Sequence, residues 1–121
     1  MSNNKHRYIT LNEIEKIAKV CHEVNRAFCR SLGDTSQPCW DDAPDWQKSS
    51  ARKGVCSLVH GSPEVTHEHW LKEKTDNGWK YGPAKDAEKK EHPCILPYNE
   101  LPRDQQTKDA LFAAVVEAMR D

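Results

Sequence analysis

Apolar residues in the first third of the chain recur at steps of three and four. Leu11, Ile14, Ile17, Ala18, Cys21, Val24, Phe28 and Leu32 make one continuous stripe, the mark of a helix with one face on a core. Thr10 stands where an N-cap belongs, and Glu13 completes a capping box. Gly33 offers a left-handed stop, so a helix is predicted over 11–32. Residues 33–43 are rich in Gly, Ser, Pro and Asp and read as a loop. A second helix starts at Pro44 among Asp41, Asp42 and Asp45, whose charges suit a helix N-terminus. Trp46, Ala51, Val55, Leu58 and Val59 form its partial apolar face, and Gly61 ends it. Ser62, Pro63 and Glu64 open a third helix, anchored by Trp70 and Leu71 and closed by Asn77 and Gly78.

The period then changes. Trp79 and Tyr81 alternate as in a short strand. After a charged stretch from Lys85 to His92 comes a second extended piece, Cys94-Ile95-Leu96-Pro97-Tyr98. It is expected to pair with the first, at an edge because of its prolines. Ala110, Leu111, Ala114, Val115 and Ala118, widened by Phe112, Val116 and Met119, predict a last helix over 102–119. The expected fold is mainly α with a short two-stranded β-ribbon (α+β). Residues 10–121 are expected to form a single domain behind a flexible arm at 1–9.

Composition narrows the function classes. The chain has 121 residues, a length that suits one domain. Charged residues are 31% and hydrophobic ones 36%, with a mean hydropathy of −0.91. The formal net charge is −1, so no basic surplus points to nucleic acid or an anionic membrane. No apolar run reaches transmembrane length, and no apolar segment follows the charged start as in a secretory leader. A cytoplasmic protein is expected. The five cysteines include no C-x-x-C pair and read as small core residues. Cys21 with His22, and His67 with His69, lack zinc-site spacing, so no metal or other cofactor is expected.

Two features stand out as candidate chemistry. The chain has four tryptophans, Trp40, Trp46, Trp70 and Trp79, most of them at junctions between elements. An indole face suits a stacked purine or nicotinamide ring, and equally suits core filling in a chain poor in leucine. The loop from Lys85 to His92 is either a solvated turn or a source of lysines for a cleft. It is neither a Walker loop nor a dinucleotide fingerprint. No cysteine, histidine or serine sits in a nucleophile motif, and catalysis is not expected.

The series His67-Glu68-His69-Trp70, Gly78-Trp79-Lys80-Tyr81-Gly82-Pro83, Lys85-Asp86, His92-Pro93-Cys94-Ile95-Leu96-Pro97-Tyr98 and Leu101-Pro102 resembles the ryanodine-receptor repeat (RyR) family. Upstream, His22-Glu23-Val24-Asn25-Arg26 and Pro44-Asp45-Trp46 resemble single-copy bacterial or phage members. Ile95-Leu96 departs conservatively from the family's usual Leu-Val. The resemblance implies a small, mostly helical module that binds an adenine nucleotide, or a cyclic or NAD-derived nucleotide. It implies stacking on Trp70, Trp79 and Tyr81, and polar or phosphate contacts from Lys85, Lys90 and His92. Asp86 would meet a ribose or hold a lysine. In the receptors the repeats occur as tandem pairs, so a ligand shared between two repeats would imply a homodimer. A protein–protein interaction domain is the alternative reading.

Overall fold

The computed structural model describes residues 9–57 and 62–120. Helix α1 runs Leu11–Ser31, α2 Asp45–Ser57, α3 Pro63–Asp76 and α4 Arg103–Arg120. Short 3-10 turns at Trp40–Asp42 and Tyr98–Glu100 lie in the connections. Leu58, Val59 and Gly61, expected at the end of the second helix, and residues 1–8 of the expected arm lie outside the described residues.

Helix α1 begins on the predicted capping box. The Glu13 N–H donates to Thr10 Oγ1 at 3.1 Å, and the Thr10 N–H donates to Glu13 Oε1 at 2.9 Å, satisfying two donors that a helix start leaves open. It ends on Gly33, at φ +91°. The Gly33 N–H donates to Arg30 O and the Asp34 N–H to Cys29 O, the paired bonds of a Schellman stop. Leu11 and Leu32, the ends of the apolar stripe, are exposed.

The core joins Ile14, Ile17, Ala18 and Cys21 of α1 to Trp40, Val55 of α2 and Val116 of α4. Ile9, the last residue of the expected arm, packs against it. Trp40 fills this core from the loop. Its indole N–H donates to Glu15 Oε2 at 3.3 Å and its backbone N–H to Glu23 Oε2 at 2.8 Å. Arg52 lies over its ring at 5.6 Å and clamps Glu15 at 2.7 Å. The buried indole therefore keeps its polar edge satisfied. Among the described residues no helix is long and apolar enough to cross a membrane.

The ribbon differs from expectation in its second strand. Strand β1, Lys80–Tyr81, pairs in parallel with β2, Glu91–His92, and not with 94–98. The cause lies in the charged loop. Asp86 and Glu91 exchange two backbone hydrogen bonds, while Asp86 Oδ1 accepts the N–H groups of Glu88 and Lys89 at 3.1 and 3.2 Å. Lys90 completes the turn at φ +56°. This tight loop returns the chain at Glu91, before Pro93, and proline has no N–H to offer a ladder beyond it. At Gly82 a Cβ would stand 2.5 Å from Glu91 Cβ, so only glycine permits this approach.

Candidate functional site

A cavity of about 300 Å³ lies where α1, α2, α3 and α4 meet the ribbon. Its aromatic lining is placed by local rules. Helix α3 ends in a second Schellman stop, with Gly78 at φ +88°, the Gly78 N–H on Thr75 O and the Trp79 N–H on Lys74 O. That stop sets Trp79 directly after the helix and beside Lys74. On α3 itself, His67 stacks on Trp70 with centroids 5.6 Å apart and planes at 25°. The His67 Nε2–H donates to Leu96 O at 2.6 Å, which fixes the imidazole that supports the indole. His92 meets Trp70 edge-on at 5.1 Å and Trp79 at 6.4 Å. Trp46, in the first turn of α2, lines the same cavity while 55% exposed.

Three lysines, Lys74, Lys85 and Lys108, share this lining. Lys74 follows Trp70 by one helical turn and so points to the same side. Its ammonium lies between two indoles, 4.9 Å from the Trp46 centroid and 5.3 Å from that of Trp79. Lys85 Nζ lies 5.8 Å from the Trp46 centroid. Among the described residues none of these lysines has a carboxylate at ion-pair distance. Burial, and then the charge of Lys85, hold the Lys74 ammonium below the ordinary lysine range, against the pull of Glu73.

His92 records the same field. Burial, then Lys85, Lys74 and Lys108, push its imidazole down to about 4. It is therefore neutral near pH 7. Its Nδ1 accepts the Cys94 N–H at 3.0 Å, so the proton resides on Nε2. Among the described residues the lining holds one carboxyl, Asp109 of α4. Burial pushes it up to about 7, with Lys108 opposing. Its Oδ2 stands 3.5 Å from His67 Nδ1. Flat π faces, a neutral imidazole N–H and three ammonium groups together suit an anionic molecule that carries a ring. Among the described residues no three His, Cys, Asp or Glu side chains cluster as metal ligands.

Of the residues singled out in the sequence, Trp70, Trp79, Lys85 and His92 come together in the lining. Tyr81, Asp86 and Lys90 stand outside it. Tyr81 is exposed on β1. Asp86 organises the turn described above. Lys90 Nζ donates to Asn77 O at 2.8 Å, tying that turn to the end of α3. Sequence reasoning passed over Lys74, Lys108 and Asp109 as site residues, and singled out Trp46 only as one of the four candidate tryptophans. Lys74 carried a signal, its four-residue spacing from Trp70. Asp109, an acid directly before the apolar run Ala110-Leu111-Phe112 of the last helix, carried another.

The RyR domain family model matches residues 43–120. The matched stretch includes α2, α3, α4, both strands, and the tryptophans and lysines of the lining. Helix α1, which adds Cys21, His22 and Asn25 to the cavity, precedes it. With most of its length matched, the chain belongs to the RyR domain family.

Proposed function

We propose that this domain is a non-catalytic binding module for a nucleotide or nucleotide-derived small molecule. An adenine, cyclic or NAD-derived nucleotide has the required chemistry. The carrying observation is one cavity that joins the faces of Trp70, Trp79 and Trp46 to three lysines that, among the described residues, have no carboxylate at ion-pair distance. The ring stacks on indole, the phosphates take Lys74, Lys85 and Lys108, and the His92 Nε2–H adds a neutral donor. Cys21 and Cys94 are the cysteines of the lining, and burial pushes both thiols up, the opposite of what activates a nucleophile. Binding itself is thus the proposed output.

A thermal-shift panel of adenine nucleotides, cyclic nucleotides and NAD-derived compounds tests this reading. A ligand at a hundred times its Kd adds about 2.7 kcal/mol, which is several degrees for a domain of this size. The expected result is a saturable shift that Trp79→Ala removes without loss of the fold. The exposure of Trp46 and Tyr81 favours a second reading, a protein-interaction surface. A panel without any shift would transfer the weight to it.

A further inference from the structure

One side of the cavity is polar without being charged. His22 and Asn25 stand three residues apart on one face of α1, and both line the cavity. Gln37 of the following loop and Gln47 of the first turn of α2 line it with them. His22 is 7% exposed, its ring held edge-on to Trp40 at 5.7 Å. Its Nε2 lies 2.7 Å from Pro38 O. A carbonyl only accepts, so Nε2 carries a proton, and in the neutral ring Nδ1 is an acceptor. The Gln47 Nε2–H donates to Gln37 Oε1 at 3.0 Å. That bond orients both amides, and leaves Gln37 its N–H group to donate and Gln47 its carbonyl oxygen to accept. Asn25 Oδ1 takes a long contact from the Cys29 thiol at 4.0 Å.

Four groups on this side therefore lack a partner among the described residues: the acceptors His22 Nδ1 and Gln47 Oε1, and the donor N–H groups of Asn25 and Gln37. Arg26 Nε is the buried side-chain nitrogen left unpaired there, so none of the four is sealed in the interior. An apolar ring against them would leave all four unsatisfied. A phosphate only accepts, and would set its oxygens against His22 Nδ1 and Gln47 Oε1. A hydroxyl donates and accepts at once, and two adjacent hydroxyls match two donors beside two acceptors. The place fits as well. Asp34, in the same loop as Gln37 and Pro38, stands within the field of Lys108 and Lys85, so this side adjoins the cavity's lysines.

We propose that the α1 side of the cavity is a subsite for the vicinal hydroxyls of a ribose, and that it selects ribonucleotides over nucleotides that lack those hydroxyls. The inference rests on the binding-module reading. Asn25 and Gln37 donate to the hydroxyl oxygens, and His22 Nδ1 and Gln47 Oε1 accept their protons. In a nucleotide the sugar stands between ring and phosphate, as this side adjoins both the indoles and the lysines. His22, Asn25 and Gln37 precede the stretch that the family model matches, so the selection is carried by α1 and its loop. A site built to hydrogen-bond a hydroxyl rejects the analogue without it, because its own polar groups are then left unpaired.

Isothermal titration with adenosine monophosphate and its 2′,3′-dideoxy analogue tests this, because the two share base and phosphate and differ only in the hydroxyls. The wild type should bind the ribonucleotide about tenfold more tightly or better. Asn25→Leu and Gln47→Met remove an amide at nearly constant volume, from two different elements. Each should weaken the ribonucleotide and leave the dideoxy analogue's affinity unchanged, so that the preference shrinks. Side-chain amide resonances supply a readout that needs no variant. In the wild type the Asn25 N–H signals should move further with the ribonucleotide than with the analogue. Equal binding of the two nucleotides, equal shifts of the Asn25 signals, or variants that weaken both ligands alike overturn the hydroxyl subsite while the binding module stands. Failure of the wild type to bind either nucleotide overturns both.

Discussion

Asp109→Asn makes a prediction about the unliganded protein that is independent of any ligand. The carboxyl has an ordinary value of 3.8 and is raised to about 7 in the folded chain by burial, with Lys108 opposing. Below 3.8 the folded and unfolded chains both hold the proton, and the acid adds no pH dependence. Between 3.8 and about 7 the unfolded chain releases it while the folded chain keeps it, so rising pH favours unfolding. Above about 7 both are ionised and the penalty is constant. Three units at 1.36 kcal/mol each would give roughly 4 kcal/mol as an upper bound. The side chain opens onto a cavity, and solvent screening there reduces the cost to on the order of 1–2 kcal/mol. Asparagine cannot ionise, so the variant should gain that much over wild type at pH 8 and almost nothing at pH 4. The assay is urea denaturation of both proteins at each pH, read as the difference between them, so that titrating groups away from Asp109 cancel. A difference that does not grow between pH 4 and pH 8 would refute the reasoning.

Other predictions follow from single contacts. Gly82→Ala places a Cβ 2.5 Å from Glu91 Cβ, so it should cost about 1–3 kcal/mol in denaturation and weaken nucleotide binding, because the ribbon carries His92. Trp40→Ala empties a buried core position and should cost about 3–5 kcal/mol, whereas Trp46→Ala, at an exposed position, should stay within about 0.5 kcal/mol and lose affinity instead. Replacing Lys74 and Lys85 together with glutamine removes two charges that depress His92, so its imidazole resonance should titrate above about 4 by NMR. An unmoved titration would mean that those ammonium groups do not face it.

The helices were readable because local rules and the core agree on them. Capping at Thr10, the stop at Gly33 and the three-and-four spacing of Ile14, Ile17, Ala18 and Cys21 all specify the same element. The ribbon was harder. The apolar, proline-bounded run at 94–98 pointed to that segment as the partner of β1, but the hydrogen bonds of Asp86 close the loop earlier and make 91–92 the partner. That outcome depends on a side chain capping a turn, which hydrophobic period does not register. The site was legible by half for a similar reason. Trp70, Trp79, Lys85 and His92 lie near one another in sequence and in space. Lys108 and Asp109 reach the cavity through the packing of α4 on α3, a long-range contact that no local pattern encodes. The resemblance implies ligand contacts for Asp86 and Lys90, whose hydrogen bonds in the structure build the turn and dock it on α3.

The central claim is that the tryptophan-and-lysine cavity holds a nucleotide. The most direct measurement is a titration of intrinsic tryptophan fluorescence with adenosine monophosphate, because Trp46, Trp70 and Trp79 line the cavity while Trp40 is buried in the core. Saturable quenching is predicted, lost in Trp79→Ala, and weakened in Lys74→Gln and at high salt. Quenching that is unchanged in Trp79→Ala, or that never saturates in the wild type, would contradict the account.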